Sequence, residues 1–167
     1  MKKLKLSFGF WLCVISFSIA GVIIWGVMAS EKSNEARNET KTSRDIALTC
    51  TTDMATRFHI HPQLKITING SDQTIPANIG IKSFCMNSIH THDTTGVLHV
   101  ESPVKKDFAL GDFFAVWDKE FNQNKILDYK TDDTHIITVS VNGKLVDTYE
   151  NTVVNDKDQL VISYQAK

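Results

Sequence analysis

Of the 6 histidines in this chain, all but His135 fall between residues 59 and 99. They read His59-Ile-His61, then His90-Thr-His92-Asp93, then His99, with Cys85-Met86 just ahead of the second pair. Neutral imidazole is the commonest protein ligand for zinc, copper and nickel. Zinc sites take three or four nitrogen, sulfur or carboxylate ligands. The grouped His59, His61, His90, His92 and His99 therefore point to a transition-metal site, for copper or zinc. Asp93 and Glu101 stand where a carboxylate could orient a ligating ring from behind. Met86 or Cys85 would add soft sulfur and favour copper. The plain alternative is that histidines on an exposed strand face are solvated polar residues. His135, apart from the rest, is read as structural or exposed.

The motifs of known reactions are incomplete. A blue-copper loop needs Met soon after its Cys and His, and none follows His90. A cupin places Glu four or five positions after its His-x-His, whereas Glu101 lies nine beyond His92. There is no His-Glu-x-x-His and no Gly-x-Ser-x-Gly elbow. Nucleophilic catalysis by Cys85 with His90 is conceivable, but Cys50 competes for that sulfur. No catalytic residue and no organic cofactor is assigned, and enzymatic activity, as a metal-dependent enzyme, ranks behind a binding role.

Positioning these side chains falls to strands. From residue 57 the chain alternates: Ile60, Leu64, Ile66 and Ile68 share one parity, while His59, His61, Gln63, Lys65 and Thr67 share the other. Period two marks a strand with one buried and one polar face. Pro62 implies an edge or a bend, and Asn69-Gly70 a tight turn. The segment QTIPANIGI should return as a strand or extended loop. Residues 88–92 and 97–101 flank Asp93-Thr94-Thr95-Gly96 and read as a hairpin. Its simplest register pairs His92 with Val97, Thr91 with Leu98 and His90 with His99. Paired residues project from one face, so His90, His92 and His99 would stand together with Glu101 near. Ile89, Leu98 and Val100 would face the core. If the His59–His61 strand neighbours this hairpin, the imidazoles of both could converge. Over 110–121, Phe113, Phe114, Trp117 and Phe121 recur at helical spacing and predict a helix packed on the sheet. Later strands turn at Asn142-Gly143. The class expected is α+β, mostly antiparallel hairpins with one packed helix, either β-grasp-like or a helix-bearing β-sandwich.

The ends place this domain. Lys2, Lys3 and Lys5 precede an uncharged run from Phe8 to Ala29. A membrane-spanning helix needs roughly 20 such residues, and a cleavable signal core is shorter. The expectation is a transmembrane anchor or signal segment over 1–29, inserted in the cell (inner) membrane through residues 8–29. The lysines then stay cytoplasmic and the C-terminus lies in the periplasm or outside. Val27-Met28-Ala29 leaves cleavage after Ala29 open, which would give a secreted form. Residues 30–45, SEKSNEARNETKTSRD, read as a polar linker with at most transient helix. Residues 46–167 read as one extracytoplasmic β-rich domain with a real core. Without the three N-terminal lysines the chain keeps 15 basic against 19 acidic side chains. That balance argues against nucleic acid as a partner. Cys13 belongs to the apolar run. Cys50 and Cys85 remain, either bridged, as an oxidising compartment favours, or as thiolate ligands.

The stretch FHIHPQLKITING…IPANIGI…HTHDTTGVLHVE…LGDFF resembles a family of uncharacterised secreted or membrane-anchored prokaryotic proteins. Their shared pattern is His-x-His before an alternating strand, Ile-Pro-Ala-x-Ile-Gly-Ile, His-Thr-His-Asp-x-x-Gly-x-x-His-x-Glu, then Leu-Gly-x-Phe-Phe. The similarity covers about residues 57–164 and implies an extracytoplasmic location and one folded unit. It implies no activity. It marks His59, His61, His90, His92, Asp93, His99 and Glu101 as signature positions without roles. Two functions follow from the whole reading. One is a membrane-anchored domain that binds copper or zinc, in envelope metal handling or sensing. The other is a non-catalytic structural or interaction module contacting another envelope protein.

Overall fold

The computed structural model describes residues 8–52 and 56–167, with side chains from Ile23 onward. It divides into two compact units, 1–40 and 41–167. The first is helix α1, Phe8–Thr40, which continues through the polar residues after Ala29. Among the described residues no helix is long and apolar enough to cross a membrane. Most of the expected anchor over 8–29 lies outside the residues whose side chains are described.

The second unit starts at Lys41, ahead of Ile46, with helix α2, Ser43–Leu48. Thr42 caps it: its hydroxyl accepts the Asp45 N–H while the Asp45 carboxylate accepts the Thr42 N–H. Such a capping box satisfies two N–H groups that a helix start leaves unpaired. The strands that follow are β1 (Cys50–Thr51), β2 (Phe58–Ile60), β3 (Gln63–Ile68), β4 (Ser71–Gln73), β5 (Ile81–Lys82), β6 (Cys85–Asn87), β7 (Ile89–His90) and β8 (His99–Ser102). Helix α3, Leu110–Val116, comes next. Then come β9 (Phe121–Asn122), β10 (Lys125–Ile126), β11 (Tyr129–Lys130), β12 (His135–Val141), β13 (Lys144–Val146) and β14 (Gln159–Ala166).

The largest sheet has the order β13-β12-β14-β3-β4. Two hairpins, closed at Asn69-Gly70 and Asn142-Gly143, flank the last strand, which runs parallel to β3. All four turn residues have positive φ, as a two-residue turn matched to strand twist requires. This is the strand order of a β-grasp sheet, so the class is α+β as the pattern implied. Leu64, Ile66 and Ile68 are buried on its inner face and meet Leu160 and Ile162 of β14. Burial of each such side chain contributes roughly 1.5–3 kcal/mol.

Helix α3 is shorter than the aromatic spacing predicts. Asp118 takes a left-handed φ of 58°, and its N–H and that of Lys119 return to the Ala115 and Phe114 carbonyls. This double closure stops the helix. Phe121 therefore lies in β9, yet its ring still packs against Phe114, with centroids 4.7 Å apart. The spacing reports one aromatic cluster, two of whose members the helix carries. Asp112 is buried at the start of α3, where it accepts the Ala109 N–H and pairs with Arg44 at 2.7 Å, tying α3 to α2.

A smaller sheet, β2-β8-β7, carries His59, His90 and His99, with His61 and His92 just past the ends of β2 and β7. At Pro62 the chain leaves this sheet and enters the large one, so the single alternating run splits into β2 and β3. The bend implied by Pro62 is a change of sheet. Gly96 sets the join between them. Its φ is +82°, its carbonyl accepts the Leu64 N–H, and a Cβ there would run into the Leu64 carbonyl oxygen. Gly96→Ala should cost roughly 1–3 kcal/mol from backbone strain alone, with the clash in addition. Urea denaturation of the variant would check this, and an unchanged midpoint would refute it.

Candidate metal centre

Strand β8 is the middle strand of the small sheet and organises the site. His90 on β7 pairs with His99 on β8, and Ile89 pairs with Val100, the register expected for the hairpin. The ladder ends there: Val97 does not pair with His92 but bridges to Gln63. On the other side β2 pairs antiparallel with β8, setting His59 opposite Glu101. Paired residues share a face, so His59, Glu101, His99 and His90 lie side by side across the three strands. Ile60, Ile89, Leu98 and Val100 are buried on the opposite side.

The imidazoles converge into two groups. His59, His61 and His99 offer ligand atoms within 4.8 Å of one another, and so do His90, His92 and His99. His99 is common to both. Its ring stands edge-on to those of His61 and His92, at centroid distances of 4.7 and 4.5 Å, and stacks on His90 at 5.4 Å. The Nε2 atoms of His90 and His92 are already 3.3 Å apart. Two nitrogens on one tetrahedral zinc stand about 3.3 Å apart, given bonds of about 2.0–2.1 Å. These two rings therefore fit an ion with little movement.

The groups behind the rings set which nitrogen is free. His90 is fully buried, and its Nδ1 donates to the Asn87 carbonyl at 3.0 Å. That bond fixes the tautomer and leaves Nε2 as the lone-pair atom, the usual arrangement behind a metal-bound histidine. His59 Nε2 lies 3.2 Å from Glu101 Oε1, which leaves its Nδ1 free. His61 Nδ1 faces Asp156 at 4.0 Å, and the same carboxylate accepts the His61 backbone N–H at 2.9 Å. Asp93, expected behind the cluster, instead accepts the Thr95 N–H and hydroxyl and shapes the hairpin turn.

The loop 74–80 explains the orientation of His90 and His92. Thr91, between them, is fully buried and held from both ends. Its hydroxyl donates to the Pro76 carbonyl and its N–H to the Ile79 carbonyl, while its own carbonyl accepts the Asn78 N–H. Clamping Thr91 aims its two neighbours at His99. Asn87, Asp156 and Thr91 have no chemical signature in sequence. Asp156 in particular lies 95 residues from the histidine it contacts.

Cys50 and Cys85 form a disulfide across 35 residues, so neither is a thiolate ligand. The bridge joins β1, which follows α2, to β6, and the Asn87 side chain donates to the Ala47 carbonyl of α2. His135 stays apart, stacked on Tyr164 at 5.0 Å and paired with Asp132 at 3.2 Å.

Electrostatics favour the neutral form of His99 and His90. Burial, then the neighbouring His92, His61 and His90, pushes His99 down to about 4. Burial also lowers His90, against the opposing bond to Asn87. Neutral imidazole is the form that ligates. The folded value of His99 lies below the unfolded one of about 6.5, so the unfolded chain binds more protons between the two. The stability that neutral His99 contributes is present above about pH 6.5 and is lost as pH falls toward 4. Thermal melts of the metal-free protein should fall over that window, and a flat profile would contradict it. Comparison with protein-family models, curated proteins and solved structures finds no match.

Proposed function

We propose that this chain is a membrane-anchored extracytoplasmic domain that binds copper or zinc through its histidine cluster, in envelope metal handling or sensing. The observation that carries this reading is the convergence of His59, His61, His90, His92 and His99 into two triads around one shared ring. Three features support it. The ring nitrogens reach metal-site spacing, as at His90 and His92. Asn87 and Glu101 fix the orientation of ligating rings. Depressed protonation at His99 and His90 keeps both ready to ligate at neutral pH. An all-imidazole set, with Cys50 and Cys85 bridged to each other, suits zinc or Cu(II). The apolar run at 8–29 after three lysines supports the anchor and its orientation. The resemblance of residues 57–164 to secreted and anchored prokaryotic proteins implies the same location.

The test is titration of the purified chain, without a polyhistidine tag, with Cu²⁺ and Zn²⁺ by competition against a chromophoric chelator. Tight binding at micromolar concentration or below is expected. A normally folded protein that binds neither ion would sink the reading. Glu101→Gln removes the charge behind His59, and such outer partners are worth about 10–100-fold in metal affinity. The loss should appear only for an ion held by His59, His61 and His99. A second reading, an interaction module, has one observation in its favour: Phe84, beside the disulfide, is 80% exposed. Loss of partner capture in Phe84→Ser, with no metal bound by the parent, would favour it.

A further inference from the structure

The histidines do not form one group of five. Their ligand atoms fall into two triads, each complete, that meet only at His99. A single ion uses one triad and leaves two oriented imidazoles idle. Two carboxylates stand behind the first triad: Glu101 lies 3.2 Å from His59 and Asp156 faces His61 at 4.0 Å.

We propose that the site holds two divalent transition-metal ions with His99 as the ligand they share. This rests on the metal-binding reading above. One ion takes His59, His61 and His99; the other takes His90, His92 and His99. A neutral imidazole has one lone pair. It can serve two ions only through both ring nitrogens, after its N–H proton leaves to solvent. The charge is then largely offset: two divalent cations carry four positive charges, against the Glu101 and Asp156 carboxylates and one imidazolate. Partial charge balance of this kind is what permits two cations to sit close together. The two positions also differ in access. The first triad is lined by exposed His59 and His61, whereas the second includes fully buried His90. The outer ion should therefore exchange faster than the inner one. With three imidazoles each, both ions keep a position for water, the arrangement of a reactive rather than a closed site.

The test uses the full chain in mild detergent with wild type, His61→Ala and His92→Ala. Both replaced side chains are exposed, so folding should survive, as circular dichroism would verify. Native mass spectrometry with Zn²⁺ counts ions, and low-temperature paramagnetic resonance with Cu²⁺ reports whether they share a ligand. The expected result is two ions in wild type and one in each variant. The Cu²⁺ signal of wild type should integrate to far less than two spins, through coupling across His99, and each variant should recover one full spin. One ion per wild-type chain would overturn the pair while leaving a single metal site standing. Two ions with two uncoupled spins would overturn the shared ligand. No ion at all would overturn the metal-binding reading, and this inference with it.

Discussion

His99→Ala should lower Cu²⁺ and Zn²⁺ affinity by about 100-fold or more, because it removes a direct ligand where even an outer partner is worth 10–100-fold. No other histidine should match it. His99 belongs to both triads, so its loss leaves two pairs of imidazoles and no triad. His59→Ala should spare the ion held by His90, His92 and His99, and His92→Ala the one held by His59, His61 and His99. The contrast separates a real site from scattered surface binding, in which each histidine would contribute about equally. Competition titrations on the variants would decide it. Equal small losses at every position would refute the geometry. His99 is only half-buried and its ring does not fill the apolar face, so the variant should keep its fold.

The second large effect lies in the disulfide. Cys50 and Cys85 close a 35-residue loop, and on the chain-entropy account a loop of that length is worth about 4 kcal/mol. Cys50→Ser with Cys85→Ser should lose most of that in urea denaturation against the oxidised parent. A change below about 1 kcal/mol would show that the segment before β2 is held by its helix contacts instead. The effect should reach the histidines. Strand β6 ends at Asn87, whose carbonyl holds His90 Nδ1 and whose side chain bonds the Ala47 carbonyl of α2. Freeing that strand loosens the group that fixes the His90 tautomer. The reduced protein should therefore bind metal more weakly even where it remains folded.

What the residues disclose unaided is local. Alternation over 57–68 separates Ile60, Leu64, Ile66 and Ile68 from His59 and His61, and the burial follows that parity. Asn-Gly pairs place two turns, because few residues accept positive φ in succession. The short turn at 93–96 limits the hairpin to few registers, so opposition of His90 and His99 is legible before any fold is known. The span of α3 is a partial success. Aromatic spacing finds the cluster of Phe113, Phe114, Trp117 and Phe121, but it cannot register the left-handed turn at Asp118 that puts Phe121 on a strand.

The rest depends on contacts between segments far apart in the chain. Parity says that His59 shares a face with His61, but not which strand lies beside them. That strand is β8, since β2 must bury Ile60 with Val100 and Ile89 while Pro62 turns β3 into the other sheet. Nothing in the pattern of residues 88–92 distinguishes buried His90 from exposed His92; the difference comes from Thr91, pinned by the loop 74–80. Asn87 and Asp156 bear on the histidines through backbone and long-range contacts that carry no residue signature. A period-two pattern encodes a face, and the chemistry of that face is decided by the non-local packing that brings one strand against another.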